Sequence, residues 1–185
     1  PGGRGRDRLY RERRRDADHP RLAGGHAAAA HLALGQRVRP RPPAHCPEAE
    51  IYSLGGATEA AIWSIYSPVR RVESHWKSIP YGVPLLNQQL HVLDAEGGAC
   101  PDHVTGRLYI GGAGLAQGYW GDVEKTQARF IDHAGLGQRL YYTGDLGCYR
   151  PDSQTGGVYV EFQGREDHQV KIGGYRIELG EIEAV

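Results

Sequence analysis

A mixed α/β fold rich in short strands is predicted by three features of the sequence. Apolar residues alternate with polar ones from Glu50 onward, turn residues cut the chain into short pieces, and helix-start signals are few. The length, 185 residues, suits about one domain. The 22 Lys and Arg balance 22 Asp and Glu, but residues 1–46 hold eleven Arg against four acids, so the rest carries −7. That asymmetry, with 27 Gly and 11 Pro, excludes a uniform coiled coil. No apolar run reaches the roughly 18 residues of a membrane-spanning helix, so no membrane partner is expected.

The elements follow in order. Residues 51–54 read as a strand ending in Gly55-Gly56. Thr58 then sits where an N-cap belongs and Glu59 lies in the first turn. Ala61, Ile62 and Ile65 mark the face of a short helix ended before Pro68. Strands follow at 89–93 and 107–110, and Asp122 caps a helix through about Phe130. Residues 140–142 return to strand before a Thr143-Gly144-Asp145 turn. Val158, Val160 and Phe162 alternate with Tyr159 and Glu161 as the second arm of a hairpin. A last strand pair, 170–172 and 175–178, precedes a helix from about Leu179.

Residues 1–43 have no apolar periodicity, only Arg, Ala, Gly and Pro with scattered His, and are expected to build no core. Arg11 to Arg15 could grip phosphates. Without interleaved aromatics a solvated or disordered run is the plainer reading, and no nucleic-acid partner is expected. A shifted frame of a GC-rich coding sequence yields similar text, so the segment reads as a frame disruption or damaged boundary, with genuine divergence second. Methionine is absent and the chain starts at Pro1, which reads as a cut from something longer. The short 27–34 stretch, broken by His31, makes no secretory signal. Cys46, Cys100 and Cys148 have neither disulfide-framework nor zinc spacing, so reduced thiols in the cytoplasm are expected.

Taken singly, the chemical motifs are weak. Gly111-Gly112-Ala113-Gly114 could cradle a phosphate, yet it lacks the lysine of a P-loop and reads more simply as a tight turn. Thr58-Glu59 at a helix start could set a hydroxyl on a phosphate oxygen and a carboxylate on magnesium; an ordinary capped helix is the plain alternative. Asp145 could accept from both hydroxyls of a ribose, or be a turn aspartate.

Together, SLGGATEA (53–60), GRLYIGGAGLAQGYW (106–120), YYTGDLG (141–147) and GREDHQVKIGGYRIELGEIEAV (164–185) resemble, in order and spacing, the adenylate-forming enzymes. Within these they resemble the amino-acid adenylation domains of nonribosomal peptide synthetases, over about residues 44–185. The resemblance implies a partial adenylate-forming fold. Residues 44–163 would be the last part of a large AMP-binding domain, and 164–185 the hinge and start of a small C-terminal domain. It implies ATP and Mg2+ as cofactors, with Thr58 and Glu59 on the α-phosphate and Glu59 on the metal. Gly56, Ala57 and Thr58 would line the nucleotide, Asp145 would hold the ribose, Arg165 would reach the nucleotide and Asp167 would be the hinge. Gly173-Gly174 would face the phosphopantetheine arm of a carrier-protein domain in cis.

Several departures stand out. Gly55 occupies the place of the family's usual adenine-stacking aromatic, Cys148 that of a frequent Arg, and Gly173 that of a common Arg. Nothing in residues 1–46 resembles the family's glycine-rich phosphate loop, and its catalytic lysine would lie past Val185. The isolated chain is therefore expected to be inactive. An acyl-CoA or aryl-acid ligase of the same superfamily and a catalytically dead pseudogene product are the alternatives. The resemblance also implies that Leu54, Ile62 and Trp63 line the amino-acid pocket. Leu, Ile and Trp would leave a small apolar cavity that suits a short thiol and excludes charged or large side chains. The trio resembles the tail of the pocket signature in cysteine-activating siderophore synthetase domains.

Overall fold

A computed structural model describes residues 50–70, 76, 79–152 and 156–166, together with the backbone of 170–172 and 175–177. Residues 1–43, Cys46, the hinge candidate Asp167, the Gly173-Gly174 loop and the helix expected from Leu179 lie outside these residues. β1 (Tyr52–Gly55), β2 (Ile65–Pro68) and β3 (Val83–Pro84) form a three-stranded antiparallel sheet in that order. The larger, five-stranded sheet runs β4 (Gln88–Leu93), β5 (Gly106–Gly112), β7 (Gln138–Pro151), β6 (Phe130–His133), and β8 (Val158–Arg165) also pairs with β7. β9 (Val170–Ile172) and β10 (Tyr175–Ile177) make a separate hairpin.

Alternation along the strands fills two cores, one on each face of the large sheet. Leu90 and Val92 of β4, Leu108 and Ile110 of β5 and Val160 of β8 pack with Ala60, Ile65 and Tyr81. Leu93, Tyr109 and Leu140, the residues out of phase with these, form the second cluster. The long strand β7 is paired with β5, β6 and β8 and contributes Leu140, Tyr141, Cys148 and Tyr149 to the buried residues, so whatever side chain it turns outward is held on a rigid support.

Helix α1 (Val123–Arg129) forms as its sequence predicts, the Asp122 carboxylate accepting from the Lys125 N–H at 2.9 Å. The helix predicted from Thr58 does not. Thr58–Ala60 is a single 3-10 turn, Ala57 takes the cap position without a side-chain hydrogen bond, and Ala61 and Ile62 have left-handed backbone at φ 60° and 65°. Ile65 belongs instead to β2, paired with Gly55 of β1. A helix this short is marginal by itself, whereas the hairpin buries Ile65 in the larger core. The turn predicted at Thr143-Gly144-Asp145 is also corrected, because β7 runs straight through it.

Ile62 is 57% exposed, so little burial is at stake there, while a branched side chain in left-handed backbone costs about 1–2 kcal/mol. Ile62→Gly is expected to raise the stability of the purified chain by up to about 1 kcal/mol in chemical denaturation, after the entropy cost of glycine. A loss of about 1 kcal/mol, the cost of glycine inside a helix, would instead support the helical reading.

Candidate functional site

The Thr143-Gly144-Asp145 segment is a bulge in the middle of β7. The pairing of β5 with β7 passes from Tyr109↔Tyr142 to Arg107↔Leu146, so three residues of β7 oppose Leu108 alone. The Thr143 hydroxyl closes the gap, donating to the Leu108 carbonyl at 2.9 Å and accepting from the Asp145 N–H at 3.0 Å. Gly144 supplies the positive φ of 79° that the bulge needs. The β7–β8 ladder shifts once more between Leu146 and Gly147, leaving Asp145 opposite Arg165.

That register makes the first cluster. An Arg165 guanidinium N–H donates to Asp145 Oδ1 at 2.8 Å, both side chains being mostly buried at 19% and 15% exposure. The Tyr81 hydroxyl donates to Asp145 Oδ2 at 2.7 Å. Desolvation in the core raises the Tyr81 hydroxyl well above the ordinary tyrosine range, and the neighbouring Asp145 charge adds to this. Beyond the ladder, the Glu166 N–H donates to the Gly144 carbonyl at 2.9 Å. Its carboxylate takes two guanidinium N–H groups of Arg107, at 2.7 and 3.0 Å, and the Tyr142 hydroxyl. Strand β8 thus continues past Gly164 to Arg165, and Glu166 is tied to the large sheet.

The second cluster surrounds Glu59. Its carboxylate accepts from the Tyr119 hydroxyl at 2.7 Å, and its carbonyl accepts from the Ala116 N–H at 2.8 Å. Arg139 holds the same 113–121 loop by donating to the Ala116 and Gln117 carbonyls at 2.9 and 2.7 Å. Burial raises the Tyr119 hydroxyl, helped by its bond to Glu59, and burial raises Tyr141 further, helped by Tyr119. Both phenols stay protonated donors at neutral pH. Strand β7 therefore delivers Tyr141 to one cluster and Asp145 to the other.

Of the other candidates, Thr58 is exposed beside Glu59, and Gly56 has a φ of 147°. Gly56 admits no side chain, because a Cβ would meet the Ile62 carbonyl at 2.5 Å. Leu54 and Trp63 are half-buried and Ile62 exposed, all three on or beside the β1–β2 hairpin rather than on one helix face. Gly111 lies within β5, and the Ala113 N–H donates to the Asn87 carbonyl at 2.9 Å, so the glycine cluster closes a strand end. Cys100 and Cys148 are buried free thiols. Sequence reasoning assigned no role to Tyr81, Tyr119, Tyr141, Arg107 or Glu166. Tyr119 and Tyr141 stood inside quoted motifs, whereas Tyr81 lies 64 residues from its partner with no local pattern to mark it.

Because the fold favours protonated Tyr81, Tyr119 and Tyr141, their contribution to stability is intact below the ordinary tyrosine value of about 10. It is lost as pH rises above that value, where the unfolded phenols ionise first. Absorbance titration at the phenolate band is expected to leave these tyrosines un-ionised past pH ~10, until a cooperative loss of structure releases them. Titration of all tyrosines near the ordinary value with the fold intact would contradict this.

Comparison with known proteins agrees with the motif order. The family profile described as AMP-binding enzyme matches residues 5–120, running through most of the Arg-rich segment. Bacitracin synthase 1 of Bacillus licheniformis is 58% identical over 135 residues, which are 73% of this chain and 2% of that protein. Pyochelin synthetase PchF of Pseudomonas aeruginosa is 54% identical over 138 residues, 75% of this chain and 7% of that protein. Among solved structures, PA1221, an NRPS protein containing adenylation and PCP domains, superposes with a TM-score of 0.62 at 32% identity, covering 76% of this chain and 28% of that one. The chain spans only a small part of each of these relatives. It belongs to the AMP-binding enzyme family, and its relatives there are adenylation domains of nonribosomal peptide synthetases.

Proposed function

We propose that this chain is the part of an adenylation domain that binds the ribose and α-phosphate of ATP while an amino acid, cysteine by best fit, is activated as its adenylate. The carboxylate of the amino acid attacks the α-phosphorus and the bond to pyrophosphate breaks; a carrier-protein phosphopantetheine thiol, giving up its proton, then attacks the acyl carbon, and the acyl–oxygen bond breaks to release AMP. The observation that carries this reading is Asp145, a carboxylate set by a bulge in the middle of β7 and held by Arg165. Two fixed oxygens on a rigid support suit the two hydroxyls of a ribose.

The remaining roles follow from chemistry and placement. Thr58, exposed beside Glu59, offers a hydroxyl to the α-phosphate, and Arg165 offers positive charge to the nucleotide. Glu59, oriented by Tyr119, is the carboxylate for a magnesium ion. Among the described residues no group of three or more His, Cys, Asp or Glu could hold a metal, and one carboxylate fits magnesium, which is shared with substrate phosphates. When bound, that ion supplies charge neutralisation between the two reacting anions. Asp167, next to the anchored Glu166, is the hinge of the resemblance, where a dihedral change would swing the small domain. Leu54, Ile62 and Trp63 beside the hairpin make the small apolar end of the amino-acid pocket. Similarity to two peptide synthetases favours this reading over an acyl-CoA or aryl-acid ligase. Among the described residues no helix is long and apolar enough to cross a membrane.

Amino-acid-dependent ATP–pyrophosphate exchange tests the reading. The 185 residues by themselves are expected to show none, because they include no glycine-rich phosphate loop and span a small share of their relatives. Residues 44–185 grafted into a complete related domain are expected to support exchange best with cysteine, followed by serine or threonine. Asp145→Ala in that graft is expected to raise the KM for ATP about thirtyfold, the worth of two ribose hydrogen bonds at about 1 kcal/mol each. Robust exchange by the 185-mer, preference for an aromatic or acidic amino acid, or an unchanged KM would each overturn the corresponding part.

A further inference from the structure

We infer that Tyr81 is a positioning residue for nucleotide recognition, fixing the Asp145 carboxylate so that it presents two acceptor sites to a ribose diol. The inference rests on the ribose role proposed for Asp145 and adds a residue to which no motif assigns a task.

Tyr81 is 6% exposed and packs edge-on against Phe162, ring centroids 5.2 Å apart, inside the larger core. Phenylalanine would satisfy that packing. A buried hydroxyl has to find a partner, and this one finds Asp145 Oδ2 at 2.7 Å. Arg165 holds the other oxygen at 2.8 Å. With one anchor a carboxylate can pivot about its terminal torsion, which is soft. With one anchor on each oxygen its plane is set. A carboxylate presents about four acceptor sites, so these two bonds do not exhaust its capacity.

The backbone braces Tyr81 for this task. Gly82 bridges to Val160 of β8, accepting from its N–H at 2.9 Å and donating to its carbonyl at 3.2 Å. Gly82 has a φ of 87°, and a Cβ there would sit 2.1 Å from the Tyr66 carbonyl oxygen. Gly55 borders the ring: a Cβ at that position would lie in ordinary contact with the Tyr81 ring at 3.4 Å and would crowd the Ile65 side chain at 2.9 Å. The place where the family's usual aromatic would begin is thus bordered in this chain by Tyr81.

The full chain can be tested by ligand-observed NMR with AMP, 2′-deoxy-AMP and 3′-deoxy-AMP. The unsubstituted chain is expected to prefer AMP over both analogues. Tyr81→Phe should reduce that preference by about three- to tenfold, the net worth of one ordinary hydrogen bond, with little change in affinity for the deoxy forms. In an Asp145→Asn background Tyr81→Phe should have no further effect on the ratio, and 4-aminophenylalanine at position 81, which keeps a donor, should restore it. A merely structural role would weaken all three nucleotides alike. An unchanged ratio in Tyr81→Phe, a further fall in the Asp145→Asn background, or failure of the amino analogue to restore the preference overturns the inference while leaving the ribose role of Asp145 standing. If the unsubstituted chain does not distinguish AMP from the deoxy forms, or binds none of them, the ribose role falls and the inference with it.

Discussion

Strand β7 is paired on both sides and buried at Leu140, Tyr141, Gly144 and 147–149, yet it must turn one carboxylate out of the ladder, and the Thr143 hydroxyl makes that possible. By donating to Leu108 and accepting from Asp145, it replaces the backbone bonds that the bulge forfeits. Gly144 supplies the dihedral, and Asp145 emerges opposite Arg165. The rest of the site is arranged around that fixed point. Tyr141, four residues earlier on the same strand, reaches the Glu59 side, so displacing β7 would disturb both clusters together.

The ion pairs differ in what they do. Arg107–Glu166 is 40% and 37% exposed, so solvent screens it and its contribution to stability is small. Its value is geometric, because together with the Glu166 N–H bond to Gly144 it ties Glu166 to the large sheet. Arg165–Asp145 is mostly buried and further bonded by Tyr81, an arrangement in which removing one partner strands the others. Positional certainty for the Asp145 carboxylate comes from that second arrangement.

Much of this was legible in the sequence, for identifiable reasons. Alternation found β4, β5, β8 and a short piece of β7, and the Asp122 cap found α1, because these signals are local, whereas β6 directly after the helix went unmarked. Thr58-Glu59 and Asp145 were marked by motif order. The helix after Thr58 was misread because a Thr-Glu start followed by Ala61, Ile62 and Ile65 has helical spacing, while the pairing of Ile65 with Gly55 is a tertiary fact. The Thr143-Gly144-Asp145 segment carries turn residues and was read as a turn; in β7 the same residues make a bulge. Tyr81 and Glu166 were invisible as site residues, since their partners Asp145 and Arg107 lie 64 and 59 positions away.

The position of the ribose relative to Asp145 is the decisive observation. A crystal structure of a complete domain carrying residues 44–185 with AMP bound would place it directly. Both ribose hydroxyls are predicted to lie within hydrogen-bond distance of the Asp145 carboxylate, with Arg165 and Tyr81 still on its two oxygens. A ribose seated elsewhere, or an Asp145 carboxylate turned away from Tyr81 on binding, would contradict the account.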